Sequence, residues 1–296
     1  MPKSRPTRRP PLRCVAAGLL VCAQGLGAHI LGAQVAGSSA FEAWNIGYAV
    51  PSGWQLAQQQ GRVHGLTPAT PGAAVYVAPG LYRSFDEVAA ELPKAFQALG
   101  IVGMPTGQPT SSTVKGMPAM SATYGAQAQN GMVLQVRVTA VLTPQGSGMV
   151  VMGLAPPAGA EQMAAAVEQV AQSIVVRGAP VPDPRAMAAL RGKWIFYSGK
   201  ATGVTTLSGG SSRSYEETVE FDGTGRFAWQ SSATVSVTAP GEGASGSGGN
   251  ATADQGSYTV IGSTLVVRGR QGFASYEIQI LGDRIIADGR TYLRNN

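Results

Sequence analysis

Of the two histidines in the 296-residue sequence, only His64 lies beyond the N-terminal segment, so any histidine chemistry must be built on it. A zinc site would need His64 and scattered carboxylates, with neither the H-E-x-x-H spacing nor cysteines to assist. A Ser-His-Asp arrangement has many serines to draw on, but no G-x-S-x-G elbow is present, and Ser208-Gly209-Gly210-Ser211 has the composition of a loop. The simpler reading of His64 is a surface histidine on a short strand between Val63 and Gly65. The alternative is an envelope hydrolase with an unconventional site near His64. Two carboxylate pairs remain. Asp86-Glu87 stands at the start of a helix, where negative charge suits the dipole. Glu216-Glu217 lies in a strand, so at most one of the two faces inward. The Gly-rich stretches near Gly209 and Gly248 lack the Lys-Ser/Thr of a phosphate loop. No catalytic residue, metal site or cofactor is expected.

The aromatic residues of the second half are the other chemical resource. Tyr197, Tyr215, Phe227, Trp229, Tyr258, Phe273 and Tyr276 fall in short strand-like runs. Those that point inward either fill a small barrel or line an apolar cavity with a polar mouth. In the second case Tyr197, Tyr215, Phe227, Trp229, Tyr258 and Tyr276 are the candidate ligand-binding residues.

Charge narrows the partners. The chain carries a formal net charge of +6. Lys3, Arg5, Arg8, Arg9 and Arg13 all precede residue 14, with no acidic residue among them. Removing those five from the 22 basic residues leaves 17 against 16 acidic ones, so no uniformly basic surface remains for nucleic acid. After the basic run come ten uncharged residues, Cys14 to Ala23, and then small residues up to Leu31-Gly-Ala-Gln-Val-Ala-Gly37. That is the pattern of a secretory signal peptide, residues 1–37. The apolar run is shorter than the ~20 residues a membrane span needs. No stable membrane insertion is expected after cleavage, and the mature protein is expected in the periplasm or outside the cell. The twin-arginine-like stretch Thr7 to Arg13 leaves the export route open. Both cysteines fall inside the signal, so a disulfide or thiol site is not expected.

Residues 38–177 read as an α+β domain. Trp44, Ile46, Tyr48 and Val50 alternate as a strand, and Ser84-Phe-Asp-Glu87 is a capping box opening a helix through Val88, Leu92, Phe96 and Leu99. The spacing predicts a hairpin of Val114–Tyr124 and Met132–Leu142 about Asn130-Gly131. Glu161–Ile174 predicts an amphipathic helix with Met163, Val167 and Val170 inward. Residues 178–189 form a proline-rich linker, with Asp183-Pro184 opening a short helix. Residues 190–296 show eight or nine short strands separated by Asp222-Gly223, Gly262-Ser263, Gly282-Asp283 and Asp288-Gly289 turns, the pattern of an up-and-down antiparallel barrel. Ala239–Ala253 reads as a flexible loop at its mouth.

The first region resembles the PsbP-like family of thylakoid-lumen and bacterial envelope proteins. The resemblance rests on Tyr48-Ala-Val-Pro-Ser-Gly-Trp54, the helix at Ser84, Gly116-Met-Pro-Ala119 and Ser173-Ile-Val-Val176, and it implies an α/β/α sandwich with an antiparallel sheet. The second region resembles lipocalin-like barrels of bacterial exported proteins. It does so through Leu190-Arg-Gly-Lys-Trp194, Phe221-Asp-Gly-Thr-Gly-Arg-Phe227, Gly256-Ser-Tyr-Thr-Val-Ile-Gly262 and Arg290-Thr-Tyr-Leu-Arg294. That resemblance implies a structural plug in which Trp194 closes one end beneath an arginine, Arg290 or Arg294. Together these readings give an exported, non-enzymatic binding or accessory protein. Its first domain would dock an envelope or extracellular protein, and its barrel would take an apolar small molecule.

Overall fold

The computed structural model describes residues 37–202, 210–238 and 245–295. The signal segment, the twin-arginine-like stretch and both cysteines lie outside those residues. The chain opens with strand β1 (Ser38–Phe41), a single 3-10 turn at Glu42–Trp44 and strand β2 (Ile46–Ala49). The expected run from Trp44 to Val50 is thus interrupted: Asn45 sits at φ 53, and this left-handed residue ends the turn before the strand begins. Next come β3 (Trp54–Gln60), β4 (Val63–Pro68), β5 (Ala74–Gly80), helix α1 (Phe85–Ala98), β6 (Ile101–Pro105) and β7 (Thr110–Val114). β8 (Met117–Ala128), β9 (Val133–Leu142), β10 (Gly148–Ala155), helix α2 (Ala160–Ser173) and β11 (Val175–Val176) complete this half.

An eight-stranded antiparallel sheet runs β3-β4-β5-β10-β9-β8-β6, with β7 also on β8, while β1, β2 and β11 form a small sheet beside it. The two helices take opposite faces. Leu92 and Phe96 of α1 pack on Val136, Val138 and Met152. Met163, Val167 and Val170 of α2 pack on Val75, Val77, Val141 and Val151. Along β9, Val136, Val138 and Ala140 serve one helix and Val141 serves the other, because a sheet between two helices is buried on both faces. Each such valine withdrawn from water contributes about 1.5–3 kcal/mol.

Two local details differ from the sequence reading. Val114 and Met117 belong to separate strands, because Lys115 and Gly116 are both at positive φ and make a two-residue hairpin turn. The helix cap is half of the expected reciprocal box. Ser84 Oγ accepts from the Glu87 amide at 3.4 Å, but the Glu87 carboxylate accepts from the Arg83 amide at 2.7 Å, one residue early. α1 also runs unbroken through Pro93.

Helix α3 (Pro184–Leu190) follows, capped by Asp183, whose carboxylate accepts from the Arg185 and Ala186 amides at 2.9 and 3.0 Å. Then β12 (Gly192–Thr202), β13 (Gly210–Phe221), β14 (Arg226–Thr238), β15 (Ser245–Ile261), β16 (Thr264–Gly269), β17 (Phe273–Leu281), β18 (Arg284–Ala287) and β19 (Arg290–Asn295) close an up-and-down antiparallel barrel. The fold is therefore α+β followed by an all-β barrel. β14 runs unbroken from Arg226 to Thr238. Of the expected loop 239–253, the stretch from Ser245 onward is strand, paired residue for residue with β14. Its Gly/Ser composition matches a loop, yet the neighbouring strand supplies the hydrogen-bonding template. Residues 239–244 lie outside the described ones.

Candidate functional site

In the barrel, alternation along each strand divides the side chains. Tyr215, Glu217, Val219 and Phe221 of β13 face inward, and so do Phe227 and Trp229 of β14, Leu265 and Val267 of β16, and Ala274 and Tyr276 of β17. They enclose a cavity of about 340 Å³. Phe221, Phe227, Leu265, Val267 and Ile285 give it an apolar floor, while Tyr215, Glu217, Arg290 and Tyr292 gather on one wall.

Glu217 is the hub of that wall. It is 9 % exposed. Its Oε1 accepts from Trp229 Nε1 at 2.7 Å and from the Tyr292 hydroxyl at 3.0 Å. Its Oε2 accepts from the Tyr215 hydroxyl at 3.0 Å and from Arg290 at 3.1 Å. A carboxylate in a barrel wall is costly unless both oxygens are satisfied, and here four donors do so. Burial together with the Glu217 charge pushes the Tyr292 hydroxyl upward and, less strongly, that of Tyr215. Both hydroxyls therefore stay protonated at neutral pH and act as donors.

The closed end is a separate layer. Trp194 is fully buried, and its Nε1 donates to the Leu190 carbonyl at 2.7 Å. Arg294, not Arg290, lies over its ring at 4.2 Å, and its guanidinium donates to the Ala189 and Arg191 carbonyls at the end of α3. Arg290 belongs instead to the cavity wall, 5.5 Å over the ring of Phe196. Tyr258 also sits with the plug: its ring meets Phe221 edge-on at 4.7 Å, and its hydroxyl donates to the Met187 carbonyl. Tyr197 is corrected as an interior residue. It is 65 % exposed on the outer face, because the inward parity of β12 is set by Trp194 and brings in Phe196. Of the candidate ligand residues, Tyr215, Phe227, Trp229 and Tyr276 come together at the cavity, and Tyr197 and Tyr258 do not. Sequence reasoning passed over Tyr292 and Phe196 and weighed Glu217 only as half of a carboxylate pair. Glu217 carried a usable signal, since a charged residue at an inward parity among aromatics requires donors around it.

His64 is not at the surface as expected. It is buried between β1, β2 and β4, stacked on Phe41 with ring centroids 3.9 Å apart. Its Nδ1 lies 2.9 Å from the Tyr48 hydroxyl and 3.2 Å from Ser39 Oγ. No carboxylate orients the ring among the described residues; its contacts to Ser39, Phe41 and Tyr48 join the small sheet to the large one. Burial pushes its pKa below the ordinary 6.5. The unfolded chain then binds a proton that the folded chain resists, so stability is complete above pH 6.5 and falls as pH drops through that value. His64 is the sole histidine beyond residue 36. Thermal melts between pH 8 and 5 should show this fall, and His64→Gln should remove it. An unchanged slope in that variant would assign the effect elsewhere.

Among the described residues no group of three or more His, Cys, Asp or Glu side chains could hold a metal ion, and no helix is long and apolar enough to cross a membrane. No protein-family model and no curated protein matches the chain. Solved structures do. The solution structure of cyanobacterial PsbP from Synechocystis sp. PCC 6803 is 13% identical, with 51% of this chain and 98% of that one covered, at a TM-score of 0.35. LpqN of Mycobacterium tuberculosis, involved in cell envelope biogenesis, is 17% identical over 48% of this chain and 86% of its own, at 0.32. A protein of unknown function from Pseudomonas aeruginosa is 16% identical over 48% and 97%, at 0.31.

Proposed function

We propose that this chain is an exported binding protein, not an enzyme, whose barrel holds a small, mostly apolar molecule. One observation carries the reading: a cavity of about 340 Å³ with an apolar floor, its one buried carboxylate already occupied by four donors. Such a volume lies at the lower end of the usual range for small-molecule sites. A carboxylate held this way shapes the wall and does not turn over substrate. The basic, apolar leader supports export to the periplasm or beyond. In this reading residues 38–177 form one domain, 178–189 the linker and 190–296 the binding barrel. The first domain docks a partner protein at the exposed apolar group Val102, Met104, Met132 and Val133 beside the edge strand β6.

The test is titration with N-phenyl-1-naphthylamine, a neutral apolar fluorophore that brightens out of water. Saturable enhancement is expected, with loss in a folded Val267→Phe variant that fills the floor. No enhancement, or equal enhancement in both proteins, would remove the reading.

A further inference from the structure

The barrel closes through β12, β19, β18 and β17 over only part of its height, and the other half of the chain packs beside the unpaired stretch. β12 pairs with β19 only over Lys193–Ile195, and β17 pairs with β18 only over Ile278–Leu281. The β18–β19 hairpin turns back at Asp288-Gly289, so β12 from Phe196 onward and β17 from Phe273 to Tyr276 have no strand between them among the described residues. Along β17 the amides of odd residues point into that gap. The Glu277 amide is met by the Asp288 carboxylate at 3.2 Å. The Ser275 amide is met by Glu91 of α1 at 3.0 Å, so a helix carboxylate stands where a strand carbonyl would. Arg62 and the Tyr82 hydroxyl hold Glu91 in place, and Arg62 also reaches Ser275 Oγ and Glu277. Farther along, Glu87 pairs with Arg268.

This docking puts a second cation at the opening. Lys94, one turn beyond Glu91 on α1, lies 4.9 Å over the ring of Tyr276, which lines the cavity. Arg290, also lining it, lies over Phe196 at the opposite edge. The acids nearby are engaged: Glu217 by its four donors, Arg290 among them, Glu91 by Arg62, Tyr82 and Ser275, Asp288 by the Glu277 amide, and Asp254, which also lines the cavity, by the Gln255, Arg270 and Gln271 amides. Lys94 makes no direct ion pair among the described residues, and its charge is felt by the Asp288 carboxylate.

We infer that the gap between β12 and β17 is the mouth of the cavity, that α1 forms one side of it, and that Lys94 selects amphiphiles with an anionic head, Arg290 being held by Glu217. The apolar body occupies the barrel, and the head stays at the mouth beside Lys94. This rests on the proposed binding role and specifies its ligand class.

The test compares two probes that differ by one sulfonate: 8-anilinonaphthalene-1-sulfonate and the neutral N-phenyl-1-naphthylamine. The intact protein should bind the anionic probe about three- to five-fold more tightly at low salt, with the advantage shrinking as salt rises. Lys94→Gln, on an exposed side chain, should cancel most of that advantage and leave the neutral probe unchanged, with the thermal midpoint as a check on folding. Equal affinities in the intact protein, or a Lys94→Gln variant with the full advantage, would overturn the anionic-head inference while leaving the cavity reading standing. Binding of neither probe would overturn both.

Discussion

Glu217→Ala is expected to destabilise the protein by about 3 kcal/mol, read from urea unfolding followed by tryptophan fluorescence. The loss comes from the partners left behind. Trp229 Nε1 and the Tyr292 hydroxyl would lose their acceptor inside the barrel wall, Tyr215 would keep only Ser231, and Arg290 would lose its counter-charge. Arg290 contributes least, since its side chain is 54% exposed and water screens the pair. Glu217→Gln should cost less, about 1–2 kcal/mol, because its carbonyl oxygen serves one side while its amide nitrogen opposes donors on the other. If Glu217→Ala unfolds within about 0.5 kcal/mol of the parent, the surface-like range of substitutions, the cluster does not hold the wall.

Trp194→Ala should be at least as damaging, about 3–5 kcal/mol, as expected for removing a fully buried indole. Three contacts tie α3 across the closed end: Trp194 to the Leu190 carbonyl, Arg294 to the Ala189 and Arg191 carbonyls, and Tyr258 to the Met187 carbonyl. Loss of the indole removes the first and takes away the surface on which Arg294 rests, so carbonyls at the end of α3 lose donors as well. Trp194→Phe keeps most of the packing and gives up one hydrogen bond, about 1 kcal/mol. Differential scanning calorimetry should therefore rank parent, Phe and Ala variants in that order. Equal melts for the Phe and Ala variants would place the importance of Trp194 in its hydrogen bond alone.

The elements legible in the sequence were those with strong local signals. α2 showed its 3.6-residue apolar spacing, α1 its Ser84 cap, and the barrel its regular Asp-Gly and Gly turns. β3 was not legible. Its run Trp-Gln-Leu-Ala-Gln-Gln-Gln lacks branched residues, and it is a strand because β4 offers a paired edge. β15 shows the same override, its Gly/Ser stretch held by thirteen register partners on β14. The site divided along similar lines. Inward aromatics could be listed from strand parity, but one uncertain parity misplaced Tyr197, and residue type alone could not separate Tyr258 in the plug from Tyr276 at the mouth. Glu217 looked like half of an acid pair because its four donors come from residues 215, 229, 290 and 292, which only barrel closure brings together. The contribution of α1 to the mouth is more remote still, linking Glu91 to Ser275 and Lys94 to Tyr276.

The most direct test of the binding role is native mass spectrometry of the protein taken from its own host's envelope and medium. A cleaved chain carrying a non-covalent apolar molecule, released by organic solvent and absent from the Val267→Phe variant, is the predicted result. A bare chain that also leaves N-phenyl-1-naphthylamine dark would contradict it.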